Sequence, residues 1–259
     1  MYKFFLGLLK LGALLNLYFF GKTFISPLVF VDVHLLIPAQ IFFIVSAFRC
    51  LFPVNYMTNA VLHDSLFSSI FLTRLFATFS EMAYIYMFSY LIRLFNASQI
   101  PLVDVLSWIM VIQVIISQFF VWCAILTGKQ KLYFYEELGW GTIFVINTIA
   151  SAILYWTLDY RVGHALLLQF SLLFGVFYLP WQLFHLRVMR IREKQLEIND
   201  DFHSRITSSM LIKGLYRSIQ MKNITTKSEA WGGIVGMIWM TAYWATLIPV
   251  WIFLIIRTT

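Results

Sequence analysis

The sequence predicts an all-α integral membrane protein, folded as a single bundle of about seven transmembrane helices over residues 1–259. Of the 259 residues, 61% are hydrophobic and only 12% are charged, whereas a soluble domain averages about 45–50% apolar and about 25% charged residues. The apolar residues also fall into blocks close to the ~20 residues that cross a bilayer as a helix. These observations exclude a soluble enzyme, a nucleic-acid-binding module and a disordered regulator.

Turn and capping residues divide the apolar blocks into seven predicted spans. Pro53 ends the second span because proline cannot continue a helix, and Asp64 or Ser65 suits the N-cap of the third. Glu136 and Glu137 precede the fifth span, where acidic side chains stabilise a helix N-terminus. The predicted spans cover about residues 4–20, 28–51, 66–94, 102–126, 138–158, 164–185 and 230–256.

The distribution of lysine and arginine predicts the orientation of the bundle. Nine of these residues lie in 187–228, between the sixth and seventh spans, and cytoplasmic loops are enriched in them. The pattern places the N-terminus inside and the C-terminus outside, with 187–228 as a basic cytoplasmic segment. Asn96-Ala97-Ser98 is then external and predicts a glycosylation acceptor.

The basic segment is predicted to form a helix of its own. Between Phe202 and Ile219, apolar residues recur near helical spacing with basic residues between them. Such a helix suits the surface of a leaflet with anionic lipid headgroups. The alternative is that its apolar stripe packs on the inner end of the bundle.

Ionisable side chains inside the third span indicate a polar cavity, because burying them in a membrane costs several kcal/mol. Glu81 and Arg74 are seven residues apart on one helix face, with Thr78 between them. Their separation along the axis is roughly 10 Å, which predicts that each meets another helix or a ligand. Gln113 and Asn147 on neighbouring spans are the predicted partners. The alternative is an interhelical network that fixes helix register.

A second polar group is predicted at the cytoplasmic ends of the helices. It comprises Arg49, His63, Asp64, Glu136 and Glu137. A histidine among carboxylates suits acid–base chemistry on a lipid-like substrate. Helix capping and the helix dipole explain the acidic residues without any chemistry.

The last span contains a pattern typical of close helix packing. Gly232-x-x-x-Gly236 predicts helix contact within the bundle, or a homo- or hetero-oligomer formed through that face. The span has no lysine that could carry retinal, and the chain lacks the H-E-x-x-H, G-x-S-x-G and phosphate-loop motifs. No metal site is predicted, and no cofactor is indicated.

Three functional classes follow from these features. The favoured one is a multi-pass membrane protein with a polar cavity around Glu81 that binds or transports a small ligand, lipid or ion. The second is a non-catalytic subunit or assembly factor of a larger membrane complex. The third is an intramembrane enzyme that uses the cytoplasmic polar group on a lipid-like substrate. The predicted partners are the bilayer, anionic headgroups along 187–228 and, through Gly232 and Gly236, a second protein chain.

Overall fold

The structure, a computed structural model, describes residues 2–25, 28, 31–129, 131–157, 162–197 and 206–259. They are mostly helical, in two compact units: Met1–Met87 with Tyr216–Thr259, and Phe88–Leu215. The helices are α1 (Tyr2–Lys22), α2 (Val33–Leu51), α3 (Ile70–Phe95), α4 (Pro101–Thr127), α5 (Lys131–Thr157), α6 (Val162–Glu197), α7 (Ser208–Gln220), α8 (Gly233–Trp244) and α9 (Leu247–Thr258).

Seven helical stretches in the described chain are long and apolar enough to cross a membrane, as judged by length and composition. This confirms the all-α fold and indicates an integral multi-pass membrane protein. The stretches are Phe4–Lys22, Val33–Leu51, Ile70–Phe95, Pro101–Thr127, Lys131–Thr157, Ala165–Ile191 and Gly233–Thr258.

Two of the helices begin later than the sequence predicts. α2 begins at Val33, because the side chain of Asp32 caps its first turn. α3 begins at Ile70, after a short 3₁₀ turn at Leu66–Ser68. The predicted cap residue Ser65 accepts a hydrogen bond from within that 3₁₀ turn and therefore caps the turn instead of α3.

The fifth helix begins earlier than predicted, which changes the role of two acidic residues. α5 begins at Lys131, so Glu136 and Glu137 lie in its second turn. The prediction that they stand at a helix N-terminus is wrong. The apolar and aromatic residues just after Lys131 extend the helix toward the N-terminus, and Glu136 is buried along it.

The last membrane-length stretch is broken in the middle, between α8 and α9. Pro249 has no N–H, so it cannot donate the helical hydrogen bond to the carbonyl of Ala245. The preceding carbonyl, that of Trp244, accepts hydrogen bonds from Asn16 Nδ2 at 2.9 Å and Cys50 Sγ at 3.4 Å. Side chains of α1 and α2 thus satisfy backbone that the break exposes.

A close approach of two backbones holds α1 against this break. A Cβ atom added to Gly12 would overlap the side chain and backbone of Ala245. Only glycine fits at this crossing, and Asn16 lies one turn further along the same helix. α1 is therefore positioned by contact and by hydrogen bonding at the same place.

Gly232 and Gly236, which the sequence predicts at a helix–helix contact, instead shape the turn before α8. Gly232 has a φ of +80° and lies just before α8. A Cβ on Gly236 would overlap the carbonyl oxygen of Trp231, in the turn that precedes the helix. Both glycines are therefore explained by the turn, and an oligomer through this face stays a prediction.

A small sheet, which no pattern in the sequence predicts, joins distant parts of the first unit. It contains β1 (Val54–Asn55), β2 (Ala60–Val61) and β3 (Asn223–Ile224). β1 pairs antiparallel with β2, and β2 pairs parallel with β3. The hairpin after α2 is thereby fastened to the chain that follows α7.

In the second unit, α4 packs on α5 and α5 packs on α6. The turn before α4 is held by Asn96, whose Nδ2 donates to the carbonyl of Ile100 at 3.0 Å and to Asp104 at 2.9 Å. Asn96 is also buried. In the folded chain the amide of Asn96 is thus bonded within the turn, and the predicted glycosylation acceptor stays a prediction.

The crossing at Gly12 yields a stability prediction. Gly12→Ala should lower the free energy of unfolding by about 1–3 kcal/mol, since the added methyl group overpacks against Ala245. Gly7 is a matched control on the same helix, because a Cβ there meets nothing within 4 Å. Gly7→Ala should be neutral or stabilise by up to about 1 kcal/mol. Unfolding midpoints in detergent measure both, and equal midpoints for the two variants would contradict the close approach.

Candidate functional site

The two ionisable groups of α3 bind each other. Arg74 Nη2 lies 2.6 Å from Glu81 Oε2, and Nη1 lies 3.5 Å from Oε1. Their side chains are only 2% and 7% exposed. The prediction that they are too far apart to pair is wrong, because the long arginine side chain extends along the helix over two turns. Thr78, between them, is half-buried.

A second arginine is buried in the same unit. Arg49, in the last turn of α2, is 5% exposed. Its guanidinium carbon lies 5.0 Å from the ring centre of Tyr56 and 5.1 Å from that of Trp244. Its Nη2 donates to the carbonyl of Val54 at 3.4 Å. Its Nε and Nη1 have no hydrogen-bond acceptor among the described residues.

Tyr56 links the two arginines. The guanidinium carbon of Arg74 lies 5.5 Å from the centre of the Tyr56 ring, whose centre is also close to Arg49. We refer to Arg49, Tyr56, Arg74, Glu81 and Trp244 as the arginine cluster. Its members come from α2, the following hairpin, α3 and the end of α8.

The charges of the arginine cluster do not balance. Glu81 neutralises Arg74, but no acidic side chain in the described chain lies within ion-pair distance of Arg49. A buried cation is costly without a counter-ion, and two aromatic faces offset only part of that cost. The cluster therefore has one excess positive charge and donors that suit an anion.

An aromatic layer adjoins the cluster within the same unit. The ring of Tyr84 lies edge-on to Tyr243 at 6.0 Å and to Phe42 at 5.5 Å, and Phe42 stacks on Trp244 at 6.0 Å. Tyr84 is one turn beyond Glu81 on α3. This packing fixes the indole that covers Arg49.

The other two predicted cavity residues belong to the second unit. Gln113 lies on α4, and a Cβ on Gly139 of α5 would meet its side-chain nitrogen at 2.7 Å. Asn147 is buried on α5. The structure thus brings Arg74 and Glu81 together and places Gln113 and Asn147 in a separate unit, where their binding role stays a prediction.

The predicted cytoplasmic polar group is also divided between the two units. Asp64 forms an ion pair with Lys222 at 3.1 Å, and the ring of His63 lies edge-on to Phe52 at 6.3 Å. Arg49 belongs to the arginine cluster. These three residues lie in the first unit, and each makes a contact that accounts for its position without catalysis.

The acidic residues of that group lie on α5, in the second unit. Glu137 accepts a hydrogen bond from Gln182 of α6 at 3.0 Å, and Glu136 is buried. Among the described residues, no group of three histidine, cysteine, aspartate or glutamate side chains is arranged to hold a metal ion. Catalysis by these residues stays a prediction.

The helix of the basic segment exposes its apolar face. In α7, Ile212 is 68% and Tyr216 is 64% exposed, whereas a Cβ on Gly214 would overlap the backbone of Leu126 in α4. α7 thus packs on α4 at Gly214 while Ile212 and Tyr216 are exposed, and both the contact of its apolar stripe with a leaflet and the alternative packing on the bundle stay predictions. Residues 198–205 of the segment, including Phe202, lie outside the described part of the chain.

Comparison with protein-family models, with curated proteins and with solved structures gives no match to this chain. The class of the protein therefore follows from its own features. In the part of the chain that the structure describes, it is an all-α protein with seven membrane-length helical stretches and a buried arginine cluster in its first unit.

The ion pair between Arg74 and Glu81 yields a prediction about stability. It distinguishes the effect of an unpaired buried charge from the effect of altered packing. Glu81→Gln should destabilise the protein by about 3–5 kcal/mol, because it leaves Arg74 buried without a counter-charge. The double variant Arg74→Met with Glu81→Leu should recover most of that loss, since it removes both charges. The single variants Arg74→Met and Glu81→Leu complete a double-mutant cycle with the double variant, and unfolding midpoints in detergent measure the coupling. Additive losses in the double variant would show that the pair is not coupled.

Proposed function

We propose that this chain is an integral multi-pass membrane protein that binds a small anionic ligand at the arginine cluster. The observation that carries the proposal is the excess positive charge at Arg49. Two buried guanidinium groups face one tyrosine ring, and the carboxylate of Glu81 is already bonded to Arg74. A bound anion would compensate the remaining charge and accept hydrogen bonds from Arg49.

The proposed role of Glu81 differs from the one that the sequence predicts, which is direct contact with the ligand. Glu81 orients Arg74 beside Tyr56, and the ligand contacts Arg49 first. The sequence predicts a small ligand, lipid or ion without specifying its charge. The proposal restricts this ligand to an anion. Binding and transport both agree with such a site, whereas a role as a subunit or assembly factor stays a prediction.

The proposed topology sets the depth of the site. With the N-terminus inside, the first turn of α1 and the last turn of α2 lie at the same inner surface. Arg49 is in that last turn of α2. The anion then enters near the headgroup layer and not at the middle of the bilayer, where a charge is most costly.

The basic segment is proposed to contact the same surface through α7. Its exposed apolar residues would enter the boundary between headgroups and acyl chains, while Lys213 and Arg217 face anionic headgroups. This arrangement accounts for Ile212 and Tyr216 being large, apolar and exposed.

The anion site is tested by ligand-dependent stability. Inorganic phosphate should raise the unfolding midpoint of the full-length protein in detergent, relative to sodium chloride at equal ionic strength. A ligand at a hundred times its Kd adds about 2.7 kcal/mol. Arg49→Gln should abolish the shift. Arg93→Gln is the control, because Arg93 also stacks on an aromatic ring, that of Trp108 at 4.2 Å, but donates to Ser89 and Ser107.

A shift that survives in Arg49→Gln, or its absence in the wild-type protein, would show that the cluster is not an anion site. The Arg93→Gln protein measures any general effect of removing an arginine, and it should retain the phosphate-dependent shift. Loss of the shift in both variants would also count against the assignment to Arg49.

The membrane contact of α7 is tested by thiol accessibility in lipid nanodiscs. In a Cys50→Ala, Cys123→Ala background, Ile212→Cys should react slowly with a charged maleimide, because lipid covers it. Lys213→Cys should react quickly. The two positions are adjacent and both exposed in the structure, so burial within the protein does not explain a difference. Equal rates in nanodiscs would refute the membrane contact, and labelling in denaturant gives the common reference.

A further inference from the structure

α1 has two faces with different surroundings. On its inner face, Gly12 and Asn16 contact the break between α8 and α9. On the opposite face, large apolar side chains are exposed along the membrane-length stretch Phe4–Lys22. Those that are more than half exposed are Phe4, Leu11, Leu14 and Tyr18. The described part of the chain therefore leaves one side of its first span uncovered.

The uncovered face has the spacing of a helix–helix contact. Two series of residues, each with a repeat of seven, alternate along it three and four residues apart, which is the pattern of two helices that pack lengthwise. The series are Phe4, Leu11 and Tyr18, and Gly7, Leu14 and Gly21. We refer to these six residues as the α1 seam.

Nothing in the described chain requires glycine at position 7. A Cβ on Gly7 would meet nothing within 4 Å, whereas a Cβ on Gly12 would overlap Ala245. Glycine inside a helix is less stable than alanine, but small residues let the backbones of two membrane helices approach closely. A second helix packed on the α1 seam would explain Gly7.

Lys10 places a positive charge at the edge of the α1 seam. It is three residues after Gly7 and four before Leu14, so it adjoins both on the helix surface. It is exposed, and no carboxylate in the described chain lies within ion-pair distance of it. Six residues at about 1.5 Å each place it roughly 9 Å from Phe4 along the axis, where a cation facing lipid is costly.

We propose that the α1 seam is the docking surface for a membrane-spanning helix of a different protein, which carries a carboxylate opposite Lys10. The carboxylate supplies the counter-charge that Lys10 lacks, and such a pair is stronger where little water is present. The apolar residues of the seam pack on the partner on both sides of the pair. This contact is independent of the anion site at Arg49.

The same lysine argues against a second copy of this chain as the occupant. α1 contains no acidic residue, so a second α1 packed in the same direction adds another lysine and no counter-charge. Glu81, the acidic residue deep in another span, is already bonded to Arg74. The partner is therefore a different chain with an acidic residue in its span.

Designed peptides test the seam on the full-length protein in phosphatidylcholine vesicles. One peptide is a single apolar span of about 20 residues with a glutamate at the depth of Lys10, and the other has glutamine there. Fluorescence energy transfer between peptide and protein measures binding. The glutamate peptide should bind at least about tenfold more tightly, as expected for a charge pair, and Lys10→Gln should make the two peptides equal.

Charge reversal and a matched lysine sharpen the test. Lys10→Glu should prefer a peptide with lysine at that depth. Lys22→Gln should keep the preference for glutamate, because Lys22 is at the end of α1, with its Nζ 5.4 Å from the ring centre of Tyr18. Gly7→Ile should weaken both peptides by about tenfold, since it separates the backbones, and Leu14→Trp replaces it if that variant fails to fold.

Equal binding of the two peptides, or a preference that survives in Lys10→Gln, would show that Lys10 does not pair with a carboxylate and extends to the headgroups instead. Photo-crosslinking from position 14 in the native membrane identifies the occupant. The proposal expects a crosslink, lost in Lys10→Gln, to a chain with an acidic residue in its span. A crosslink to a chain without such a residue, to a second copy or to lipid alone would overturn it.

Discussion

The placement of two guanidinium groups and one carboxylate in an apolar interior constrains the rest of the first unit. Arg74 is tolerated because Glu81 bonds to it within the same helix. Arg49 has no such partner among the described residues and is covered instead by two aromatic faces. Keeping those faces in place requires the hairpin that carries Tyr56 and the end of α8 that carries Trp244. The positions of α2, the hairpin, α3 and α8 therefore all depend on accommodating these charges.

At the break between α8 and α9, buried polar groups without charge also need partners from neighbouring helices. Backbone carbonyls left without helical donors at the break between α8 and α9 need other donors in an environment with little water. Asn16 and Cys50 supply donors to the carbonyl of Trp244, so a polar residue in the middle of α1 has a structural explanation. The same tryptophan thus accepts hydrogen bonds through its backbone and covers Arg49 with its ring. The break and the arginine cluster form one continuous polar region.

Composition and hydropathy were sufficient to predict the all-α fold and the seven membrane-length helices, because each apolar block is close to the length of a span. They also identified Arg74 and Glu81, since charges deep within such a block are rare. The pairing of these two was missed because helix rise alone ignores the reach of a side chain. Arg49 was assigned to a surface group because it lies near a helix end. The contact between Asn16 and Trp244 joins residues 228 positions apart, and no local pattern encodes it.

The order of the chain has a consequence for biosynthesis. The second unit is one uninterrupted stretch, whereas the first is assembled from both ends of the sequence. A ribosome completes α4, α5 and α6 before it makes α8 and α9. During that interval α1, α2 and α3 exist without the indole that covers Arg49 and without the carbonyl that receives the amide of Asn16. Arg49 and Asn16 therefore acquire these contacts only after α8 has been made, whereas the ion pair of Arg74 with Glu81 is complete within α3.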